Sequence, residues 1–91
     1  MVTAIVALKV ERAKVADIAS QLAELKHVSE VYSVSGRFDL IAMIRVRDAE
    51  LLADTVTGEL LKIEGILDSE TMLAFRAYSR HDLEAMFSIG W

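Results

Sequence analysis

The sequence predicts an α+β fold, a ferredoxin-like sandwich in which two helices cover one face of a four-stranded antiparallel sheet. Three observations support this prediction. Strand-like and helix-like hydrophobic patterns alternate in the order β-α-β-β-α-β. The pattern of residues 5–10 recurs in kind at residues 41–46, so the two halves resemble each other. Two split β-α-β units with right-handed crossovers place both helices on the same side of one sheet.

The first half supplies a strand, a helix and a second strand. Residues 2–10 are largely apolar on both faces, which is typical of a strand that is covered on both sides. From residue 13 to 26, apolar and polar side chains separate at helical spacing, which predicts an amphipathic helix. Residues 28–35 alternate between two faces and stop at Gly36, as expected of a second strand. The apolar stripe of this helix consists of Val15, Ile18, Ala19, Leu22 and Leu25.

The second half begins with a hairpin and repeats the strand and the helix. The chain turns after Gly36 into a third strand, predicted over residues 39–46. Asp48 can cap the N-terminus of a second helix, predicted over residues 49–63 and ended by Gly65. The apolar stripe of this helix consists of Leu52, Val56, Leu60 and Ile63.

One glycine and the end of the chain complete the prediction. Gly58 lies inside the second predicted helix and costs about 1 kcal/mol there relative to alanine. A last strand is predicted over residues 67–78. We therefore divide the chain into a domain over residues 1–78 and a C-terminal tail over residues 79–91, which folds onto the domain or contacts another subunit.

The composition predicts a homodimer. Ninety-one residues make one domain, and 54% of them are hydrophobic, which is an apolar excess for so small a domain. The predicted sheet has one face without helices, and pairing that face with a second copy would cover the excess. The residues expected on this dimer face are Ile5, Ala7, either Leu40 or Ile41, and residues of the last strand.

Charge and cysteine content exclude several classes of protein. The chain has 10 Lys and Arg against 14 Asp and Glu, a net charge of −4, so it lacks an electrostatic basis for direct nucleic-acid binding. It has no cysteine for a disulfide or a thiolate zinc site, which fits a reducing cytoplasm. The longest uncharged stretch at the start, residues 1–8, is far too short for a membrane span and lacks the basic segment and apolar run of a signal peptide. We expect a cytoplasmic protein without membrane association.

Residues that could support catalysis are scattered. Neither histidine has a serine or carboxylate at a spacing that predicts a catalytic triad. We interpret His27 as a cap of the first helix, and His81 as part of a polar turn, a helix cap or a subunit contact. The histidines and acids form no metal-ligand cluster, and the four glycines stand too far apart for a phosphate-binding loop. We therefore predict no catalytic residue, metal or cofactor, and a function other than that of an enzyme.

The segment 35–39 (Ser-Gly-Arg-Phe-Asp) is the most informative in the chain. In structural terms it is a tight hairpin, in which Gly36 permits positive φ and Asp39 can bond turn amides. In functional terms, a glycine exposes backbone N–H and C=O groups, and an acid can pair with an ammonium. Those groups can hold the carboxylate and amino ends of a free amino acid. The residues alone leave both interpretations open.

Three motifs resemble the effector-binding domain of the Lrp/AsnC (leucine-responsive/asparagine-responsive) transcription regulators. Residues 34–40 (Val-Ser-Gly-Arg-Phe-Asp-Leu), preceded by Val31 and Tyr32, resemble the signature V-x-G-x-[YF]-D-[LY]. Residues 61–66 are similar to I-x-x-[IL]-x-G-[VI], and residues 69–75 are similar to [ST]-x-T-x-[VL]. Together these motifs place the resemblance over the predicted β-α-β-β-α-β domain.

The resemblance implies a sheet-to-sheet dimer that assembles into rings, with small effectors, usually amino acids, bound in clefts between dimers. Full-length members carry a helix-turn-helix DNA-binding domain before this one. This chain starts at the first strand and resembles the stand-alone members, so the resemblance does not imply direct operator binding. It implies instead that full-length Lrp/AsnC regulators are potential partners.

Transferred residue by residue, the resemblance places the effector near Ser35, Gly36, Arg37 and Asp39 of the hairpin. Ser69 and Thr71 would come from the last strand of an adjacent subunit. Arg37 stands at a variable position, where an arginine could favour an acidic side chain or point to solvent. Phe38 stands where tyrosine is common, and residues 80–91 lie outside the shared pattern.

Three functions are compatible with the predicted fold. The first is an amino-acid-sensing, oligomerising domain that modulates transcription indirectly through assembly. The second is a small dimeric α+β barrel enzyme, and the third is a structural assembly partner without a ligand. The sequence favours the first function over the second. A barrel enzyme needs a buried catalytic group on the inner sheet face, and both histidines fall in predicted turns.

Overall fold

The computed structural model describes residues 1–78 and residue 80. Short 3-10 turns, Arg12–Lys14 and Leu60–Lys62, precede the first helix and follow the second. The six main elements occur in the predicted order. They are β1 (Val2–Val10), α1 (Val15–Glu24), β2 (Val28–Ser33), β3 (Leu40–Val46), α2 (Ala49–Gly58) and β4 (Ile66–Ala74).

The four strands form one antiparallel sheet in the order β2-β3-β1-β4, with both helices on one face. Strands β1 and β3 are central, and β2 and β4 are the edges. This topology confirms the predicted ferredoxin-like α+β fold. No helix in the described part of the chain is long and apolar enough to cross a membrane.

The core lies between the sheet and the helices. Alternate residues of the two central strands point toward the helices, as the period of two in a strand requires. The two helices contribute their predicted apolar stripes, although only part of each stripe is fully buried. The buried core consists of Ala4, Val6, Leu8, Val10, Ile18, Leu22, Val28, Leu40, Ala42, Ile44, Val46, Val56 and Leu60.

Several predicted boundaries are wrong. Helix α2 was expected to continue to residue 63 but ends at Gly58, where a residue without a side chain gives the backbone its greatest freedom. A 3-10 turn follows in place of the last predicted helical turn. Strand β2 ends at Ser33 because the next residues form the turn into β3. Strand β4 ends at Ala74, which pairs with Thr3. Thr3 lies near the start of β1, so β1 offers no partner for a longer β4. His81 and most of the predicted tail lie outside the described residues.

The second face of the sheet, here called the open face, is not covered by either helix. Ile41 lies on this face, whereas Leu40 lies in the core with no exposed surface, so the structure decides between the two predicted positions. Ile5 is half-buried on the open face. Ala7 also belongs to it by register but is only 2% exposed, because it is small and lies between Ile41 and Glu70 on the neighbouring strands.

The N-terminus of α2 has the predicted cap. The Asp48 carboxylate accepts a hydrogen bond from the Leu51 N–H at 2.8 Å. This bond is the main reason why the pKa of Asp48 lies below its ordinary value of 3.8, and the Arg47 guanidinium also lowers it. Because the folded pKa lies below the unfolded one, the stabilisation is present above pH 3.8 and is lost as pH falls through the folded value.

We expect Asp48→Ala to lower the Tm by a few degrees at neutral pH, because the Leu51 N–H loses its acceptor. The difference from wild type should shrink as the pH falls below the folded pKa of Asp48. Thermal unfolding followed by circular dichroism over a pH series measures both effects. Asp54→Ala, within the same helix, is the control; equal losses for the two variants would contradict a capping role.

Candidate functional site

The hairpin between β2 and β3 carries four of the predicted effector-binding residues. Its loop is closed by the Val34 N–H, which donates to the Asp39 carbonyl at 3.0 Å. Gly36 has φ of +106°, a conformation that residues with side chains rarely adopt, and the space around it is open. Ser35 and Gly36 are both exposed at the tip of this hairpin. The predicted requirement for glycine is confirmed.

Asp39 attaches the hairpin to the end of β1. Its N–H donates to the Leu8 carbonyl at 2.8 Å, and its carboxylate Oδ2 accepts the Val10 N–H at 2.9 Å. The sequence indicated bonds to turn amides or to a ligand ammonium, and the structure shows a third partner, a backbone amide of β1. This carboxylate therefore has an internal structural role.

We expect Asp39→Ala to lower the free energy of unfolding by about 1–3 kcal/mol, because the partly buried Val10 N–H loses its acceptor. Asp68→Ala is the matched control, since the Asp68 carboxylate accepts the exposed N–H of the next residue. Urea unfolding of both variants measures the difference. A loss no larger than that of the control would contradict the structural role of Asp39.

Arg37 extends from the hairpin toward β4. Its guanidinium lies 5.1 Å from the ring centroid of Phe38, within the range of a cation–π contact. Its Nη2 atom lies 3.7 Å from Oε2 of Glu70 on β4. The Lys9 ammonium donates to the Arg37 carbonyl at 3.1 Å, which connects the hairpin to β1. The Arg37 side chain therefore contacts Phe38 and Glu70 while it remains 79% exposed to solvent.

A surface depression of about 440 Å³ lies between the hairpin and β4. It unites two predicted site residues, Arg37 and Ser69, within a single chain. Thr71 lies farther along β4, opposite Val6, and does not line the depression. The full lining consists of Lys9, Arg37, Phe38, Asp68, Ser69 and Glu70.

Four of these lining residues are not among the predicted site residues: Lys9, Phe38, Asp68 and Glu70. Antiparallel pairing places Lys9 opposite Asp68 and Ala7 opposite Glu70. Strands β1 and β4 are separated by most of the chain, and their pairing is interrupted by a register shift between Lys9 and Val10. A one-residue change of register would turn each side chain to the other face, so the sequence alone contained no usable signal for this cluster.

A second depression, of about 240 Å³, lies on the helix side and includes His27, Asp54 and Glu59 in its lining. The predicted capping role of His27 is wrong, because Leu25 caps α1 through its backbone N–H to the Leu22 carbonyl. His27 is half-buried. Within residues 1–78 and 80, no three histidines, cysteines or acids are grouped to hold a metal ion.

The fold and the hairpin define a class: a ferredoxin-like α+β domain with a charged depression at a glycine hairpin and an uncovered sheet face. The model of the family "Lrp/AsnC ligand binding domain" matches residues 3–83. The chain belongs to this family, as the three sequence motifs predicted.

Individual relatives agree with this assignment. An uncharacterized HTH-type transcriptional regulator of Pyrococcus furiosus is 33% identical over 72 residues, which cover 79% of this chain and 49% of the relative. The chain thus spans about half the length of the curated relatives it matches. A crystallised protein from Thermus thermophilus is 46% identical with a TM-score of 0.82, and the match covers 88% of this chain and 100% of that one.

A more distant structure shares only the fold. It is the crystal structure of a transcriptional regulator from Neisseria meningitidis in complex with L-Met. The TM-score is 0.78 at 15% identity, and the match covers 87% of this chain and 53% of that one.

Proposed function

We propose that this chain is a sensing and oligomerisation domain that binds an amino acid beside the 35–39 hairpin. The effector lies between dimers of a larger, ring-like assembly and acts on transcription indirectly, through the assembly state. The observation that carries this proposal is the depression beside the hairpin, which contains charged groups of both signs.

The open face supports dimerisation. Its central residues are apolar: Ile5, Ile41 and Met43 are half-buried, and Met72 is 45% exposed. A second copy that covers this face would remove the apolar surface from water, which is the main driving force of protein association. The same dimer face would permit co-assembly with full-length Lrp/AsnC regulators in the cytoplasm.

The effector acts by shifting an equilibrium between assembly states. A ligand changes such an equilibrium only if its affinity differs between the states. A site at a hairpin that contacts a neighbouring dimer would meet this condition, because the neighbour completes the site only in the larger assembly. The amino-acid class is supported by the L-Met complex of the Neisseria regulator, and the role in transcription is supported by the curated helix-turn-helix relatives.

Calorimetric titration with each of the twenty L-amino acids, combined with light scattering, tests the proposal. We expect saturable binding of one amino acid or a small group of similar ones, accompanied by a change in the mass of the assembly. Ile5→Glu on the open face should separate the dimer, whereas the exposed Glu59→Gln on the helix side should not. Absence of binding to any amino acid would contradict the proposed function.

An assembly partner without a ligand is the second candidate, favoured by the exposed apolar residues Met72 and Leu73 of β4. The Asp39→Ala variant cannot distinguish the two candidates, because Asp39 also bonds to Val10 within the fold. The titration distinguishes them directly. The barrel enzyme receives less support, because His27 lines the helix-side depression instead of the open face.

A further inference from the structure

The chain leaves the sheet after β4 through a segment that its own domain hardly covers. Residues 75–78 belong to no helix or strand. Phe75 is 93% exposed and Tyr78 is 74% exposed. Large aromatic residues are enriched where proteins bind one another. We call residues 75–91 the arm.

The later part of the arm is apolar and acidic, and it continues beyond the described residues. Residues 81–91 include two acids, Asp82 and Glu84, and no Lys or Arg. The family model matches only as far as residue 83, so most of this part lies outside the family domain. Its large apolar residues are Leu83, Met86, Phe87, Ile89 and Trp91.

A cleft of about 450 Å³, here called the end cleft, lies where the open face meets the start of the arm. Its lining shares no residue with the depression at the hairpin. Among the described residues that line it, most are apolar, two are arginines and none is an acid. The Arg45 guanidinium lies 3.8 Å from Oε1 of Glu30, and its side chain is 48% exposed, so its charge remains accessible. The lining includes Thr3, Ile5, Met43, Arg45, Phe75 and Arg76.

The arm and the end cleft complement each other in charge and polarity. The acids of the arm are opposite in sign to Arg45 and Arg76, and its apolar residues match the apolar lining of the cleft. The arm begins at the wall of its own end cleft but leaves it with Phe75 exposed. Two sheets that pack face to face lie about 10 Å apart, a gap that about three or four extended residues span. The arm of one copy can therefore reach the facing sheet of a second copy.

We propose that the arm of one copy binds in the end cleft of a second copy, so that two copies exchange their arms. The proposal rests on the dimer of the proposed function and adds a contact that the paired sheet faces alone do not supply. Asp82 and Glu84 of the arm lie near Arg45 and Arg76 of the second copy, and the apolar residues of the arm fill the cleft. Two-fold symmetry makes the contact reciprocal, so each dimer contains it twice.

Trp91, the only tryptophan of the chain, provides a fluorescent probe in the arm. Over a dilution series of the 91-residue chain, we expect its emission maximum to move to shorter wavelength as dimers form, because the indole leaves water. Light scattering on the same samples gives the fraction of dimer. An emission maximum that does not change with this fraction would overturn the proposal, because the arm would then have the same surroundings in a single chain.

A quencher in the end cleft tests whether the arm crosses between copies. Because the chain has no cysteine, Thr3→Cys provides a single attachment point for a nitroxide in the cleft. The labelled chain also carries Trp91→Phe, so all tryptophan fluorescence in a mixture with unlabelled wild type comes from the arms of unlabelled copies. We expect quenching in this mixture. The same label at Glu59→Cys, an exposed position on the helix side, is the control, and equal quenching by the two labels would contradict the proposed contact.

Charge reversal tests the electrostatic part of the contact. Arg76→Glu changes a charge in the end cleft, and Lys62→Glu makes the same change at an exposed residue after α2. We expect Arg76→Glu to raise the dimer dissociation constant by about tenfold or more, because a like charge then meets the acids of the arm. Lys62→Glu should leave the constant unchanged. Similar increases for both variants would mean that net charge alone is responsible and that Arg76 does not contact the arm.

The outcomes separate the arm contact from the proposed function. If dimers form while the Trp91 emission stays constant and the label at Thr3→Cys does not quench it, the arm contact is wrong and the sheet-to-sheet dimer stands. If no dimer forms at any concentration, the proposed assembly is wrong as well.

Discussion

Gly65→Ala is expected to lower the free energy of unfolding by about 3 kcal/mol, through backbone strain and a steric clash together. Gly65 has φ of +104°, which an L side chain adopts only with strain. A Cβ atom there would lie 2.7 Å from Cδ1 of Ile18 and 3.1 Å from Cδ of Lys14. Ile18 is fully buried, so it cannot move away without disturbing the core.

Substitutions at two other glycines distinguish the contribution of backbone strain from that of the steric clash. Gly36 has φ of +106° but open space around it, so Gly36→Ala should show the strain alone, about 1–2 kcal/mol. Gly58 has neither positive φ nor a neighbour within 4 Å, so Gly58→Ala should change stability by less than about 1 kcal/mol. Urea unfolding of the three variants measures their free energies of unfolding and so gives the order of the three losses. A loss for Gly65→Ala no larger than for Gly36→Ala would show that the Ile18 clash has no effect.

Leu40→Ala and Ile41→Ala should have different effects although the residues are adjacent. The first should destabilise the fold itself, and the second should chiefly weaken the contact with a second copy. Leu40 has no exposed surface and packs in the core under the helices, so its truncation should cost about 2–5 kcal/mol. This loss should not depend on protein concentration. Ile41 lies on the open face, so its truncation should chiefly weaken the contact with a second copy.

Thermal unfolding over a range of protein concentrations distinguishes the two effects. Oligomerisation makes the Tm depend on concentration. Ile41→Ala should reduce that dependence and raise the dimer dissociation constant, whereas Leu40→Ala should lower the Tm equally at every concentration. Leu67→Ala on β4, at a residue that is 64% exposed, is the control for the loss of an exposed aliphatic side chain. An unchanged dissociation constant for Ile41→Ala would contradict the open face as a dimer surface.

The order of elements could be predicted because it depends on local patterns. A strand repeats every two residues and a helix every 3.6, and both periods are visible along the chain. The cap at Asp48 and the turn at Gly36 were predictable for the same reason, since each depends on a few neighbouring residues. The boundary errors arose where packing decides, as in β4, which ends where β1 no longer provides a partner.

The hairpin site could be predicted only in part. The family motifs predict Arg37 and Ser69 as effector-binding residues, with Ser69 from an adjacent subunit, whereas in the structure the two residues of one chain line the same depression. The bond from Val10 to Asp39 could not be predicted, because it joins residues 29 positions apart.

The sequence by itself determined the fold class, the apolar composition that predicts assembly, and the family motifs, since each is a property of nearby residues or of the whole composition. Only the tertiary structure decided that Leu40 is core and Ile41 is open face, that Asp39 bonds to β1, and that Glu70 faces Arg37. The physical reason is strand register. Register depends on how distant segments align across the sheet, and a shift of one residue reverses every side chain.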